Sequence, residues 1–223
     1  IREAVDVVKH TVSKHKSILF VGTKKQAKGI IRELAEDCGE FYVCERWLGG
    51  MLTNLSTIRQ SIKKLDRIEK RISAGGEGLN KKEMSLLAKE QLKLTGHFSG
   101  VRAMRKPPGL VVVVDPGREH LAVAEANKLG IPVMALVDTN CDPDPIRYII
   151  ACNDDALKSI KLILQQLTNT IIQRKNEMLV LSRKEENEEE EDKKKSKEGV
   201  SVKETEASEP SAPEPAVTAE EEK

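Results

Sequence analysis

Six aspartates in the second half of the chain are the side chains best suited to bind a metal ion or to transfer a proton. Asp115 and Asp138 each end an apolar run, and four others follow Asp138: Asp142, Asp144, Asp154 and Asp155. Carboxylate oxygens suit a hard divalent cation such as magnesium, and two of them together could serve as a general acid and base. The alternative interpretation is that Asp154 and Asp155 begin a helix, whose N-terminus favours negative charge without any ion.

A catalytic arrangement is not recognisable around these aspartates. The histidines are scattered over predicted helices and loops: His10, His15, His97 and His120. The cysteines form no C-x-x-C pair, which argues against a zinc or redox motif and favours small buried thiols at Cys38, Cys44, Cys141 and Cys152. The sequence therefore predicts a protein that is not an enzyme and that has no cofactor, apart at most from a weakly bound divalent metal ion.

Basic side chains are concentrated in the first half of the chain. Residues 1–110 hold 22 Lys and Arg against 12 Asp and Glu, whereas residues 111–180 hold 7 against 9. A polyanion binds where positive charge is concentrated, so this asymmetry predicts a nucleic-acid-binding surface in the first half. A solvated surface is the alternative interpretation of such clustering.

Three segments of the first half are suited to contact RNA. The turn Gly22–Lys25 joins a predicted strand to a helix, whose N-terminus offers free N–H groups to a phosphate, although the turn matches neither glycine-rich nucleotide loop. The segment RWLGGMLTN has an arginine, the only tryptophan and paired glycines that permit close backbone approach. The third segment is a predicted helical hairpin, whose basic face suits a phosphate-lined groove.

The predicted RNA contacts come from these segments and from the loop that follows the hairpin. They are Lys24, Lys25, Arg46, Trp47, Gly49, Gly50, Asn54, Arg59, Lys63, Lys64, Arg67, Lys70, Arg102, Arg105 and Lys106. For Trp47 the alternative is that its ring packs at the joint between sheet and hairpin, and for the lysines of the turn it is simple solvation.

Alternating strand and helix signals position these residues. Ser17–Thr23, Phe41–Cys44, Leu110–Asp115, Pro132–Asp138 and Tyr148–Cys152 are predicted strands, and the long apolar runs among them are typical of a parallel sheet buried on both faces. We therefore predict an α/β fold with a doubly wound, flavodoxin- or Rossmann-like parallel sheet. This sheet domain is discontinuous and comprises residues 1–52 and 99–180.

Two further segments depart from the alternation. Residues 53–98 contain two helical stretches without a strand, joined by the glycine-rich turn Ser73–Asn80, and isoleucines and leucines at spacings of four and three predict an inserted α-helical coiled-coil hairpin. Residues 181–223 hold 15 Asp and Glu against 8 Lys and Arg, with few large apolar side chains. Such a composition cannot offset its ordering entropy, so it predicts a disordered acidic tail.

Several long segments resemble the bacterial-type small-subunit ribosomal protein S2 family. They are ILFVGTKKQA (18–27), RWLGGMLTNLSTIRQSIKKL (46–65), GLVVVVD (109–115), EANKLGIPVMALVDTNCDPD (125–144) and NDDA (153–156). The resemblance extends over nearly all of residues 1–180 and implies the same sheet with a protruding hairpin. It implies a structural role in the small ribosomal subunit, in which the protein binds 16S-type rRNA and helps to dock the ribosomal protein S1.

The resemblance also implies a metal and partner-docking surface at Asp138, Asp154 and Asp155, completed by an N-terminal histidine. The family normally opens with an Ala-Gly-Val-His-Phe-Gly-His-like segment, and nothing like it precedes Ile1, so we expect an N-terminally truncated chain. The other expected partners are small-subunit rRNA and neighbouring ribosomal proteins, with no membrane and no small-molecule substrate. The expected location is the ribosome, in the cytoplasm or in an organellar stroma or matrix.

Two other classes of protein compete with this interpretation. A Rossmann-like sugar-phosphate or nucleotide-binding enzyme accounts for the sheet, but the chain lacks a phosphate loop. A pure protein-interaction adaptor accounts for the acidic tail but not for the basic first half.

Overall fold

Five short apolar segments form a parallel sheet in the computed structural model, which describes residues 1–75 and 80–201, with side chains as far as Arg183. The strand order is β2-β1-β3-β4-β5, and every neighbouring pair is parallel. The strands are β1 Ile18–Val21, β2 Phe41–Val43, β3 Leu110–Val114, β4 Val133–Val137 and β5 Tyr148–Ala151. This sheet confirms the predicted doubly wound α/β fold, and its order is that of flavodoxin-like proteins.

The central strands have no polar face. Every residue of β1, β3 and β4 is buried, which is why their sequences show continuous apolar runs rather than alternation. The register places Leu19 of β1 beside Val111 of β3, and Val113 of β3 beside Ala135 of β4. All five strands point the same way, so the turns that follow them meet at one edge of the sheet, here called the carboxyl edge.

Six helices accompany the sheet in the described residues. They are α1 Arg2–Ser13, α2 Lys25–Cys38, α3 Leu55–Ser73, α4 Lys81–Phe98, α5 His120–Lys128 and α6 Leu157–Ser201. Residues 1–176 form one unit, and a second unit begins at Glu177, within α6. No helix in the described part of the chain is long and apolar enough to cross a membrane.

The hairpin of α3 and α4 is present, but its packing is one-sided. α3 buries its apolar stripe of Ile58, Ile62, Leu65 and Ile68, whereas the only residue of α4 that is fully buried is Phe98 at its end. Three of the α3 residues and Phe98 join the same core cluster as strand residues such as Leu19 and Val43. The base of the hairpin is therefore anchored on the sheet domain, and the symmetrical seam of the predicted coiled coil is not seen. Residues 76–79 of its predicted turn lie outside the described residues.

The start of the acidic tail continues the last helix. α6 extends to Ser201, so residues 181–201 are helical. The physical reason is local: Glu and Lys are good helix formers, and oppositely charged pairs four residues apart support a helix without burial. Residues 202–223, the rest of the predicted tail, lie outside the described residues.

The return from the hairpin to β3 requires a glycine at position 100. A β-carbon there would clash with the backbone carbonyl of Tyr42, which cannot move aside without disturbing β2. We expect Gly100→Ala to lower the free energy of unfolding by about 1–3 kcal/mol in urea denaturation. The matched control is Gly29→Ala in α2, where open space surrounds the added methyl group. That change should raise stability by about 0.5–1 kcal/mol, and equal losses in both variants would contradict the steric explanation.

Candidate nucleic-acid interface

One carboxylate organises the loop that connects β2 to α3. Glu125 of α5 accepts hydrogen bonds from the backbone N–H groups of Gly50 at 2.7 Å and of Leu52 and Thr53 at 3.0 Å. It also accepts them from the Thr53 hydroxyl at 3.0 Å and from Nε1 of Trp47 at 3.1 Å. Burial alone raises the pKa of Glu125, but the N–H groups of Thr53 and Gly50 hold that pKa below its ordinary value.

Trp47 belongs to the core rather than to the solvent-facing surface. Its side chain is buried and packs in the same cluster as Met51 and Leu52. Its ring face is therefore not open to a stacked base, and the alternative interpretation, that Trp47 fills the joint between sheet and hairpin, describes its position. The predicted contacts that the loop does expose are Arg46, Gly49 and Asn54.

Asn54 ends this loop and is occupied by local hydrogen bonds. Its side-chain oxygen accepts from the hydroxyls of Thr57 at 2.9 Å and Ser56 at 3.1 Å. Gly50 has a positive φ of 89°, a conformation that favours glycine. The paired glycines and Asn54 thus shape the entry into α3 before any contact with RNA.

A stripe of four cations runs along the outside of α3. It consists of Arg59, Lys63, Arg67 and Lys70, at spacings of four, four and three residues, and we call it the basic stripe. All four side chains are exposed, and none forms an ion pair with another described residue. Residues at these spacings share one helix face, and this face lies away from the buried isoleucines. The basic stripe is thus open to a polyanion along about three turns of helix.

Two other predicted cations, one in the hairpin and one in the loop that follows it, are paired. Lys64 bonds to Glu90 of α4 at 2.5 Å. Arg102 pairs with both Asp66 and Glu69 of α3. The hydrogen bond to Glu69 raises the pKa of Arg102, and this rise outweighs the lowering of that pKa by burial. These two residues hold the hairpin together rather than presenting free charge.

The remaining predicted contacts do not form one patch. Lys25 follows β1 and lies at the carboxyl edge, whereas Arg105 and Lys106 precede β3 and lie at the opposite edge of the parallel sheet. All three are exposed. The structure therefore brings together the basic stripe but separates these three residues into two groups.

Lys24 lies inside an acidic cluster that consists of Asp115, Asp138, Asp154 and Asp155. Its ammonium bonds to Asp155 at 2.6 Å, Asp154 at 2.7 Å and Asp115 at 3.3 Å. Burial alone lowers the pKa of Lys24, but the carboxylates of Asp154 and Asp155 raise it well above its ordinary value. Lys24 therefore serves as an internal counter-ion to this cluster, and its predicted phosphate contact stays a prediction.

The last helix begins later than predicted, after Asp154 and Asp155 of the acidic cluster. Asn153 accepts hydrogen bonds from the N–H groups of Asp155 at 2.9 Å and Ala156 at 2.8 Å, and α6 begins only at Leu157. Asp154 and Asp155 thus lie in a turn ahead of the helix. Their negative charge is balanced by the ion pairs with Lys24 rather than by the helix dipole. Asp138 accepts from the N–H of Thr139 at 2.7 Å, which holds its pKa below the ordinary value.

One carboxylate oxygen of this cluster is available as a ligand for a divalent cation. Asp154 is fully buried, and its Oδ2 has no hydrogen-bond partner within the described part of the chain. The donors that converge within 4.8 Å of one another are Asp115, Cys141 and Asp154, so only Asp154 is shared with the predicted set of Asp138, Asp154 and Asp155. The neighbouring Lys24 ammonium opposes a second cation, so a bound ion would be weakly held.

We expect Lys24→Met to lower the free energy of unfolding by about 3–5 kcal/mol at pH 7, because it leaves the buried Asp154 carboxylate without its countercharge. Urea denaturation measures the change. Lys25→Met is the matched control: Lys25 is exposed, so its effect should stay within about 0.5 kcal/mol. Similar losses in both variants would contradict the ion-pair account.

Two residues important to the interface were not predicted. Glu125 holds the loop, and Arg118 lies beside it, with its Nε donating to the hydroxyl of Thr23 at 2.9 Å. A sequence signal existed for Glu125, since an acidic residue next to the small, buried Ala122 and Ala126 requires hydrogen-bond donors from elsewhere. Arg118 carries no such signal.

Comparisons with known proteins are consistent across the chain. The family model described as "Ribosomal protein S2" matches residues 1–174. The small ribosomal subunit protein uS2 of Protochlamydia amoebophila (strain UWE25) is 76% identical over 185 residues, which are 83% of this chain and 68% of that protein. The protein of the same name from Chlamydia trachomatis serovar D is 58% identical over 178 residues, covering 80% of this chain and 63% of the relative. The chain thus spans about two thirds of the length of these relatives.

A doubly wound parallel sheet that carries a helical hairpin defines a class of α/β proteins. Within that class, the chain belongs to the ribosomal protein S2 family. The family consists of structural proteins of the small ribosomal subunit, which confirms both the resemblance and the prediction that this chain is not an enzyme.

Proposed function

We propose that the chain binds 16S-type small-subunit rRNA through the basic stripe and the exposed part of the loop that precedes α3. The observation that carries the proposal is the stripe itself, four exposed cations on one helix face without acidic partners among the described side chains. Each cation that neutralises a phosphate releases a counterion, so a row of them gives strong, salt-dependent binding. Membership of a ribosomal protein family supports RNA as the polyanion.

The predicted contacts divide by role in this proposal. Direct contacts are expected from the basic stripe, from Arg46 and Gly49 in the loop, and from three exposed cations at the two sheet edges: Lys25, Arg105 and Lys106. Trp47, Gly50 and Asn54 act indirectly, because they shape the loop. Lys24, Lys64 and Arg102 also act indirectly, because they hold parts of the surface together through ion pairs.

The proposed partners are small-subunit rRNA and neighbouring ribosomal proteins, in ribosomes of the cytoplasm. We place the docking surface for the ribosomal protein S1 at the acidic cluster, where Asp138 and Asp155 are partly or fully exposed at the carboxyl edge. A divalent ion held by Asp154 and its neighbours would strengthen that contact by bridging carboxylates to the partner. The Rossmann-like enzyme alternative is not favoured, since the family is structural.

Asp155→Asn separates docking from RNA binding. The change keeps the shape of an exposed side chain and removes one charge of the acidic cluster. We expect S1 to bind the variant at least several-fold more weakly in a pull-down with purified proteins, while the affinity for rRNA stays within twofold. Loss of neither interaction, or of both, would show that Asp155 serves only as a partner of Lys24.

The RNA proposal is tested by measuring the affinity of the purified chain for a small-subunit rRNA fragment between 50 and 200 mM salt. We expect log K to fall linearly with log salt, with a slope of about −0.9 for each phosphate contact. Co-sedimentation with small-subunit particles should be reversed by high salt. Tight binding of ATP or NAD together with salt-independent RNA binding would instead favour the enzyme alternative.

A further inference from the structure

A pocket of about 390 Å³ lies at the carboxyl edge between β1 and β3. Thr23, which follows β1, lines it on one side, and Arg118, which follows β3, lines it on the other. Strand order reverses at this point, where open parallel sheets bind ligands in the crevice outside the strand ends. Arg46, from the loop that follows β2, completes a third wall.

Arg118 is held in one orientation by a chain of hydrogen bonds. The buried carboxylate of Glu119 accepts from the N–H of Thr23 at 2.9 Å and from its hydroxyl at 2.6 Å. Because the Thr23 hydrogen points to Glu119, its oxygen is left to accept from Nε of Arg118, at 2.9 Å. The guanidinium is thereby fixed through Nε alone, and its two terminal amino groups have no acidic partner among the described side chains.

Two arginines and two glutamates line the pocket, and both glutamates are engaged by other groups. Glu45 also lines it, but that carboxylate pairs with Lys28 at 2.6 Å and Arg32 at 3.6 Å, and its pKa is held below the ordinary value mainly by Lys28. Glu119 is buried and engaged by Thr23. Arg46 and Arg118 are therefore the two cations of the lining, and neither forms an ion pair with another described side chain.

We infer that this pocket binds the phosphate group of an unpaired nucleotide, with Arg118 and Arg46 as its ligands. An arginine fixed by Nε still presents its two terminal amino groups, with four N–H donors, as a fork that matches a phosphate. Leu121, which is half exposed, adds an apolar wall against which a sugar or base can lie. The volume is sufficient for a nucleoside phosphate. The identity of the carrier as rRNA rests on the proposed function, whereas phosphate recognition does not.

The first experiment compares RNA binding by the full chain, by Arg118→Gln and by Lys128→Gln. Lys128 is exposed at the end of α5, away from the pocket. Its replacement by glutamine removes the same charge as Arg118→Gln. Arg118→Gln should reduce the salt slope by about 0.7–0.9 and the affinity by roughly five- to eightfold at 0.1 M salt. Lys128→Gln should leave both nearly unchanged. If both variants keep the affinity and the salt slope of the unchanged chain, the pocket does not bind a phosphate of the RNA, but the proposed function stands.

The second experiment identifies the source of the phosphate without RNA. Inorganic phosphate and adenosine monophosphate are titrated while the Nε–H signal of Arg118 is followed by nuclear magnetic resonance. A millimolar response to both probes, lost in Arg46→Gln, supports a phosphate site filled by an RNA strand. A dissociation constant for adenosine monophosphate at least a hundredfold lower than that for inorganic phosphate supports a free nucleotide as the occupant. No response to either probe overturns the inference, and a response without any RNA binding would reject only the proposed function.

Discussion

Replacing Arg59, Lys63, Arg67 and Lys70 with glutamine is expected to weaken binding to small-subunit rRNA by about three orders of magnitude at 0.1 M salt. These side chains form the basic stripe, and each lost phosphate contact removes about 0.9 from the slope of log K against log salt. The loss should be nearly the same for all RNA sequences, because phosphates carry no sequence information. Filter binding across a salt series gives both affinity and slope.

The matched control removes four exposed basic residues from the second half of the chain: Lys128, Arg147, Lys158 and Lys161. It changes net charge equally, so it should cost only the weak, long-range part of the attraction, within about tenfold. If both variants bind RNA equally poorly, net charge alone drives binding and the basic stripe is not the contact surface. Circular dichroism should show unchanged helix content in both, since all eight side chains are exposed.

Glu125→Gln is expected to lower the free energy of unfolding by about 3 kcal/mol. The carboxylate accepts five hydrogen bonds from the loop between β2 and α3, and an amide would place donors against some of these N–H groups. Glu33→Gln, on the exposed face of α2, is the control and should change stability by less than about 0.5 kcal/mol. RNA affinity should also fall, because the loop that carries Arg46 loses its hydrogen bonds to Glu125.

The effect of Glu125 should depend on pH with a definite sign. Its folded-state pKa is lower than in the unfolded chain, so its contribution is fully present above about pH 4.3 and is lost as the pH falls through the folded-state value. The difference in stability between the native chain and Glu125→Gln should therefore be constant near neutrality and shrink below about pH 4. A difference that persists unchanged at pH 3 would show that the loop does not depend on the ionised carboxylate.

The strands and helices were predictable because their signals are local. β3 and β4 are continuous apolar runs, and only a strand buried on both faces needs such a sequence. The basic stripe was predictable for the same reason, since helical spacing alone puts its members on one face. The continuation of α6 over residues 181–201 also follows from a local signal, the helix propensity of Glu and Lys.

The partners of individual charges were not predictable, because they depend on contacts between distant parts of the chain. Lys24 and Asp154 are 130 positions apart and meet only because β1 and β5 end at the same edge. Arg102 reaches back to Asp66 and Glu69 only when the hairpin is folded. The sequence alone predicts that both cations are available to a phosphate. In the structure both form ion pairs, whereas the members of the basic stripe have no acidic partner among the described side chains.

Crosslinking of the full chain to small-subunit rRNA, followed by mapping of the attached peptides, tests the proposed RNA surface most directly. The chain should be bound to a small-subunit rRNA fragment at about 0.1 M salt, irradiated and digested. The proposal predicts that most crosslinked peptides come from residues 46–71, the loop and the basic stripe. Crosslinks confined to residues 120–175, with α3 unmodified, would contradict it.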